Sequence, residues 1–166
     1  SFASLIRRAT SSVAAALALA ACGAREPSAP AATLTPLVQR GALELQASVE
    51  VPPGRGRGDS LRVIVTARNV SGAPYVIETS PCTVGVRLLS AAAGAGASAT
   101  FYDDFMRPCA RMLVTIPLAP SAVPRFRHAV PMTAISPAAP RALQAHVQVA
   151  IAPEPVLLTG LAFTLP

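Results

Sequence analysis

Leu43-Glu44-Leu45-Gln46-Ala47-Ser48-Val49-Glu50-Val51 alternates apolar and polar residues without a break. A period of two places Leu43, Leu45, Ala47, Val49 and Val51 on one face and the charged and amide side chains on the other. That is the pattern of a strand with one wet face, and it predicts a strand over Ala42 to Val51. Pro52 to Gly58, with three Gly and two Pro, closes it in a loop, and Arg55 and Arg57 within it read as a solvated turn rather than a phosphate contact.

The same period recurs on both sides of this loop. Leu61 to Val70 repeats it with Leu61, Val63, Val65 and Ala67 inward, Arg62, Thr66 and Arg68 outward, and Ile64 as the exception. Further strands are predicted over Tyr75 to Thr79, Val84 to Leu89, Met112 to Leu118, Pro124 to Val130, Leu143 to Ile151 and Gly160 to Leu165. Asn69-Val70-Ser71-Gly72-Ala73-Pro74 is a turn, because Asn and Ser bond nearby backbone and Gly accepts positive φ. It also matches a glycosylation sequon, and turn chemistry is the better account. Ala91 to Ala99 reads as a flexible hairpin tip, since Gly94 and Gly96 would each weaken a helix there by about 1 kcal/mol. Pro131 to Pro140 is a Pro-rich connection. About seven to eight short strands between Gly/Pro turns, with no long helical pattern, define an all-β chain. The expected fold is an antiparallel immunoglobulin-like sandwich over residues 41–166.

The N-terminus obeys different rules. Arg7 and Arg8 precede an uncharged stretch from Ala9 to Ala21, apolar throughout from Val13, and small residues stand just before Cys22. A basic start, a short apolar run and small residues at its end are the parts of a secretory signal. The run is shorter than the roughly 20 residues a helix needs to span a bilayer. Ile6 and Ala9-Thr10-Ser11 flank the arginines poorly for twin-arginine export, which favours the general route. Ser1 in place of Met leads us to expect a trimmed or mis-started chain. Gly23 to Pro36, rich in Ala, Pro, Ser and Thr, reads as a tether, so that residues 22–40 separate signal from domain.

Leu19-Ala20-Ala21-Cys22 resembles the lipobox of bacterial lipoprotein signal peptides. The resemblance implies cleavage after a signal of residues 1–21, diacylglycerol on the Cys22 thiol, and a third acyl chain on the new amine. Two or more chains give a stable anchor where one gives a marginal one. The implied partner is the membrane, and the implied location is extracytoplasmic. Gly23 in place of an Asp retention signal favours the periplasmic side of an outer membrane. An ordinary cleaved signal with an incidental cysteine is the alternative. With Cys22 lipidated, Cys82 and Cys109 remain, and an even pair in an oxidising compartment reads as a disulfide. Two buried free thiols or half of a metal site are the other readings.

Charge and composition narrow the partners. The net charge is +6, all of it from Arg, and loss of the signal leaves +4. The arginines are spread singly rather than clustered, and export separates the chain from nucleic acid, so no nucleic-acid partner is expected. Attraction to anionic lipid or polysaccharide remains. Trp is absent, so the core is expected to be Val, Leu, Ile and Ala, with Phe101, Phe105, Phe126 and Phe163 as its larger pieces.

Phe101 to Cys109 is the least repetitive part of the domain. Phe101, Tyr102 and Phe105 surround Asp103 and Asp104, with Arg107 following. These six residues are the candidate binding loop. Paired carboxylates beside aromatics can bind Ca²⁺ or a partner's cation, but no spaced acidic series supplies the six or more oxygens Ca²⁺ takes, so no metal or cofactor is expected. The other reading is a surface loop tucking its aromatics under the cysteine pair. Adjacent acids on an extended chain also point apart, which is wrong for flanking one bond. His128 and His146 fall on separate strands, either pairing across a sheet or standing as polar residues on an outer face. Nucleophile elbows, HExxH and phosphate-cradling loops are missing, so no enzyme is expected.

The run from Leu61 to Leu89, then Cys109 to Leu118 and its turn, resembles bacterial immunoglobulin-like domains, in particular the domain named for the BsuPI intracellular proteinase inhibitor. The shared features are a strand ending in Asn-x-Ser-Gly (Asn69, Ser71, Gly72), a Cys, and a strand ending in Leu-x-Pro (Leu118, Pro120). The chain departs from that pattern at Pro140-Arg141-Ala142-Leu143, where the family has Gly-Thr-Tyr. The expected function is a lipid-anchored, non-catalytic module binding protein or envelope components such as polysaccharide. A protease inhibitor and a purely structural envelope protein are the alternatives.

Overall fold

A computed structural model describes residues 33–91, 99–109 and 112–166. The signal, Cys22 and most of the tether lie outside the described residues, as does most of the hairpin tip over Ala91 to Ala99. Ten strands are present among the described residues: β1 Thr33–Leu34, β2 Val38–Arg40, β3 Leu43–Glu50, β4 Ser60–Asn69, β5 Tyr75–Ser90, β6 Thr100–Asp103, β7 Val114–Leu118, β8 Arg125–Pro131, β9 Ala142–Ile151 and β10 Val156–Thr164. The only helical element among them is a 3-10 turn at Met132–Ala134, which places Met132 and Ile135 in the core. No helix among the described residues is long and apolar enough to cross a membrane.

The strands form two antiparallel sheets. The first runs β1-β3-β4-β8, with β2 also on β3; the second runs β10-β9-β5-β6, with β7 also on β5. The chain crosses between sheets after β4, β7 and β8, so neighbours in sequence are split between layers. This is the immunoglobulin-like sandwich expected from the strand pattern. The alternation places the core as the sequence indicates. Leu43, Leu45 and Ala47 of β3 and Leu61, Val63, Val65 and Ala67 of β4 face Val86 and Leu88 of β5 and Leu143, Ala145 and Val147 of β9, all essentially inaccessible to water.

Four local expectations are corrected. The tether does not run to residue 40: Thr33 and Leu34 pair with Val49 and Ser48, and Val38 to Arg40 pair with Leu45 to Leu43. Buried Thr35 fixes the kink between them, its N–H donating to the Ala47 carbonyl and its Oγ1 accepting the Ala47 N–H. Strands over Tyr75 to Thr79 and Val84 to Leu89 are one 16-residue strand, β5, with an irregularity between Thr79 and Val84. Pro81 sits in that irregularity, where no ladder bond asks for its missing N–H. The last strand begins at Val156, not Gly160. A bulge between Leu158 and Leu161, with Gly160 at φ +83°, shifts the inward parity from Val156 and Leu158 to Leu161 and Phe163 and so interrupts the period-two signal. Of the four phenylalanines assigned to the core, only Phe163 is buried. Phe101 and Phe126 lie on edge strands and are half-covered, and Phe105 lies on the outside of the second sheet.

The Asn69 turn is a buried knot. Asn69 is fully buried, and its amide donates to the carbonyls of Ala73, Leu118 and Ala119 at 2.9, 3.3 and 3.2 Å. Its Oδ1 accepts the Ser71 N–H and hydroxyl at 3.0 and 2.7 Å. One side chain thus ties the β4–β5 turn to the β7–β8 turn, which explains the Asn-x-Ser-Gly sequence without any glycan. Asn69→Ala removes all three donated bonds and the acceptor of the Ser71 N–H in a buried position, and a loss of about 2 kcal/mol is expected. Urea unfolding checks it: the midpoint falls and the slope is unchanged.

Candidate functional site

The long strand β5 sets the geometry. Its first part pairs with β7, from Tyr75↔Leu118 to Thr79↔Val114; its last part pairs with β6, from Arg87↔Asp103 to Leu89↔Thr100. Between them, no strand among the described residues covers that side of β5, and the segment after β6 fills the gap. Cys82 and Cys109 are joined here as a disulfide, with Cα atoms 6.1 Å apart, which fastens the end of this segment to the uncovered part of β5.

Asp104 takes the place of the missing strand. Its N–H donates to the Val86 carbonyl at 3.1 Å, and its Oδ1 accepts the Val86 N–H at 2.5 Å. Its Oδ2 accepts the Tyr102 hydroxyl at 3.1 Å and lies 2.8 Å from Nε2 of His128 on β8. Arg107 approaches the same oxygen at 3.8 Å. The Asp104 and His128 side chains are 8% and 9% exposed, so this contact joins the edges of the two sheets away from water. The Nε2 finds no partner with good hydrogen-bond direction, so the contact is one of proximity. Burial alone pushes the Asp104 carboxyl up. The His128 ring, the Val86 N–H and the Tyr102 hydroxyl outweigh it and hold the carboxyl below the ordinary Asp value. Burial, then the neighbouring Asp104 charge, pushes the Tyr102 hydroxyl up to about 12.

The six residues of the candidate loop divide between two faces, and the first three of them belong to β6 rather than to a loop. The pairing of β6 with β5 shifts between Leu88 and Leu89, so the adjacent residues Phe101 and Tyr102 both pack against the core. Asp104 turns inward, as described. Asp103 turns outward, where its Oδ2 accepts from Arg87 Nε at 2.8 Å and its Oδ1 accepts the Phe105 N–H at 3.0 Å. Phe105 lies flat over Gly85, where a Cβ would stand 3.3 Å from its ring, and the Arg87 guanidinium sits 4.5 Å from the ring centre. The neighbouring acids therefore serve separate partners, as the extended-chain argument requires.

Behind Phe105 a cleft of about 510 Å³ opens on the outer face of β5 and β9. Val84, Ala150, Ile151, Met112 and Leu113 are among its apolar lining residues, and Glu78 and Gln148 among its polar ones. Met112 and Leu113 precede β7 rather than belonging to it, and with Met106 they expose 59%, 65% and 89% of their surface. His146 lies on the outer face of β9 opposite Arg87; burial, then that charge, lowers its pKa. His128 is not an outer-face residue. It shares the inward parity of Phe126 and Val130, and that parity was the signal in the sequence that could have found it.

The fold and site define an all-β, immunoglobulin-like domain with a stapled flap beside an outer-face cleft. No family model matches the chain, and no curated protein matches it. Among solved structures, a β-glucosidase from Listeria innocua in complex with gluconolactone is similar over 77% of this chain, with a TM-score of 0.37 and 13% identity. The same enzyme in complex with glucose is similar over 74%, with a TM-score of 0.35 and 14% identity. The chain spans only 17% and 16% of the length of those structures.

Proposed function

We propose that this protein is a lipid-anchored, non-catalytic extracytoplasmic lipoprotein whose immunoglobulin-like domain binds a protein or cell-envelope component. The observation that carries the anchor is the Leu19-Ala20-Ala21-Cys22 motif at the end of an apolar run, with ten residues between Cys22 and Thr33, the first strand residue among those described. The acyl chains on Cys22 hold the domain at the membrane, on the periplasmic side of an outer membrane where the cell has one. The contact surface is the flap around Phe105 and Arg107, where Met106, Met112 and Leu113 expose apolar side chains beside the cleft. A non-catalytic role is supported by the way the acids are used. Asp103 is held by Arg87 and Asp104 by His128, and the two histidines stand on opposite sheets. The alternative of a protease inhibitor draws on one feature, the exposed Met106 held between the Asp104 anchor and the Cys109 staple.

Intact mass of protein extracted from membranes tests the anchor and the oxidising compartment together. The expected species begins at Cys22, carries acyl chains, and resists alkylation at Cys82 and Cys109 until reduced. A soluble species without lipid overturns the anchor; thiols that alkylate without reduction overturn the oxidising compartment. Rapid cleavage after Phe105 or Met106 by added chymotrypsin rejects the inhibitor alternative.

A further inference from the structure

The outer face of the first sheet carries charge in a graded order. β3 presents Glu44 and Glu50, and β4 presents Arg68 and Arg62 directly across from them. Arg62 and Glu50 approach to 3.9 Å. β8 presents Arg125 and Arg127, but their cross-strand neighbours are Thr66 and Ile64. Among the described residues neither arginine forms an ion pair, so the positive charge left over on this face collects on β8. β8 is also where the first sheet ends. Among the described residues its far side presents backbone N–H and C=O groups to no other strand, beside a cleft of about 290 Å³ that Pro81 to Val84 and Arg107 border.

We propose that the open edge of β8 takes up an extended acidic segment of a partner protein as an additional strand, with carboxylates at alternate positions resting on Arg125 and Arg127. Backbone ladder bonds supply the attachment and the alternate side chains the selectivity. Residues two apart on a strand share a face about 6.8 Å apart, so acids at every second position match both arginines. The chain already uses this pairing internally, between β3 and β4. The same arginines reject a second copy of β8, because like charges directly opposite are unfavourable, and so select an acidic partner over self-association. Arg125 and Arg127 are on the other sheet from the outer-face cleft, Arg107 borders both clefts, and the test does not involve Cys22, so failure of the anchor or of this proposal leaves the other standing.

The test is fluorescence anisotropy of the full chain with a synthetic nonapeptide of alternating Val and Glu. Controls are the Val/Lys peptide, the Val/Glu peptide N-methylated on its ladder-forming nitrogens, and polyphosphate. Binding of the Val/Glu peptide alone is expected, with slower amide exchange along β8 in its presence. Arg125→Glu with Arg127→Glu is expected to weaken that binding by at least about tenfold and to confer binding of the Val/Lys peptide. Both side chains are exposed, so an unchanged urea midpoint certifies the fold of the variant. Absence of binding, or equal binding by the variant, overturns the proposal. So does equal binding of polyphosphate or the N-methylated peptide, which assigns the face to anionic polymers instead.

Discussion

Replacing Asp104 with alanine is expected to destabilise the domain by about 3 kcal/mol, lowering the thermal midpoint by roughly 10 °C. The size follows from what the carboxylate leaves behind. The Val86 N–H loses its acceptor in a stretch of β5 that has no strand on that side. The His128 ring, 9% exposed, loses the carboxylate facing it, and its Nε2 has no hydrogen-bond partner among the described residues. Removing one member of a buried pair is worse than never having the pair, because the survivor stays desolvated. Asp104→Asn separates shape from charge. The folded-state pKa of Asp104 lies below its unfolded value, so its charge contributes stability that is fully present above the unfolded value, about 3.9, and is lost as pH falls through the folded one. The stability gap between wild type and the Asn variant is therefore expected to be constant above about pH 5 and to close as pH falls below about 4. Denaturant unfolding at a series of pH values measures this. A gap that stays the same down to pH 2 removes the carboxylate's charge from the account.

What the sequence made legible followed from period. β3, β4 and β9 show unbroken alternation, and their inward residues form the centre of the core. The reading failed wherever parity was interrupted. The bulge at Gly160 hid the first half of β10, and the irregularity around Pro81-Cys82 made one strand look like two. β1 and β2 are two and three residues long, too short for any period to show, and they hold to the sheet mainly through register with β3 and the bonds of Thr35. The candidate site was half legible for a related reason. Composition drew attention to Asp103 and Asp104, and the extended-chain argument separated them correctly. The partner of Asp104 lies 24 residues further along on the other sheet, and nothing local announces it. Only the inward parity of His128 hinted that this histidine needed a buried partner.

Removal of the staple is the other large effect expected. With Cys82→Ala and Cys109→Ala together, no stray thiol remains, and the unfolded chain regains the freedom of a loop of 27 residues. The chain-entropy account puts the loss at roughly 3–4 kcal/mol, most of it acting through the unfolded state. A local consequence separates this from a general weakening. Asp104 still binds Val86 and His128 in the double variant, so β6 keeps its place, while the flap after it loses its far attachment. Chymotrypsin cleavage after Phe105 is therefore expected to accelerate well below the unfolding midpoint, and cleavage after Leu61 within the central strand β4 is not. Equal acceleration at both sites means that global opening governs the cleavage and that the staple does not hold the flap. The two fastenings also back each other up. While either one remains, the segment from Asp104 to Cys109 stays near β5; with both gone, nothing strong holds it. Combining Asp104→Ala with the cysteine pair is thus expected to lose about 1 kcal/mol more than the separate losses added together. Simple additivity in that cycle makes the flap two independent contacts rather than one hinged element.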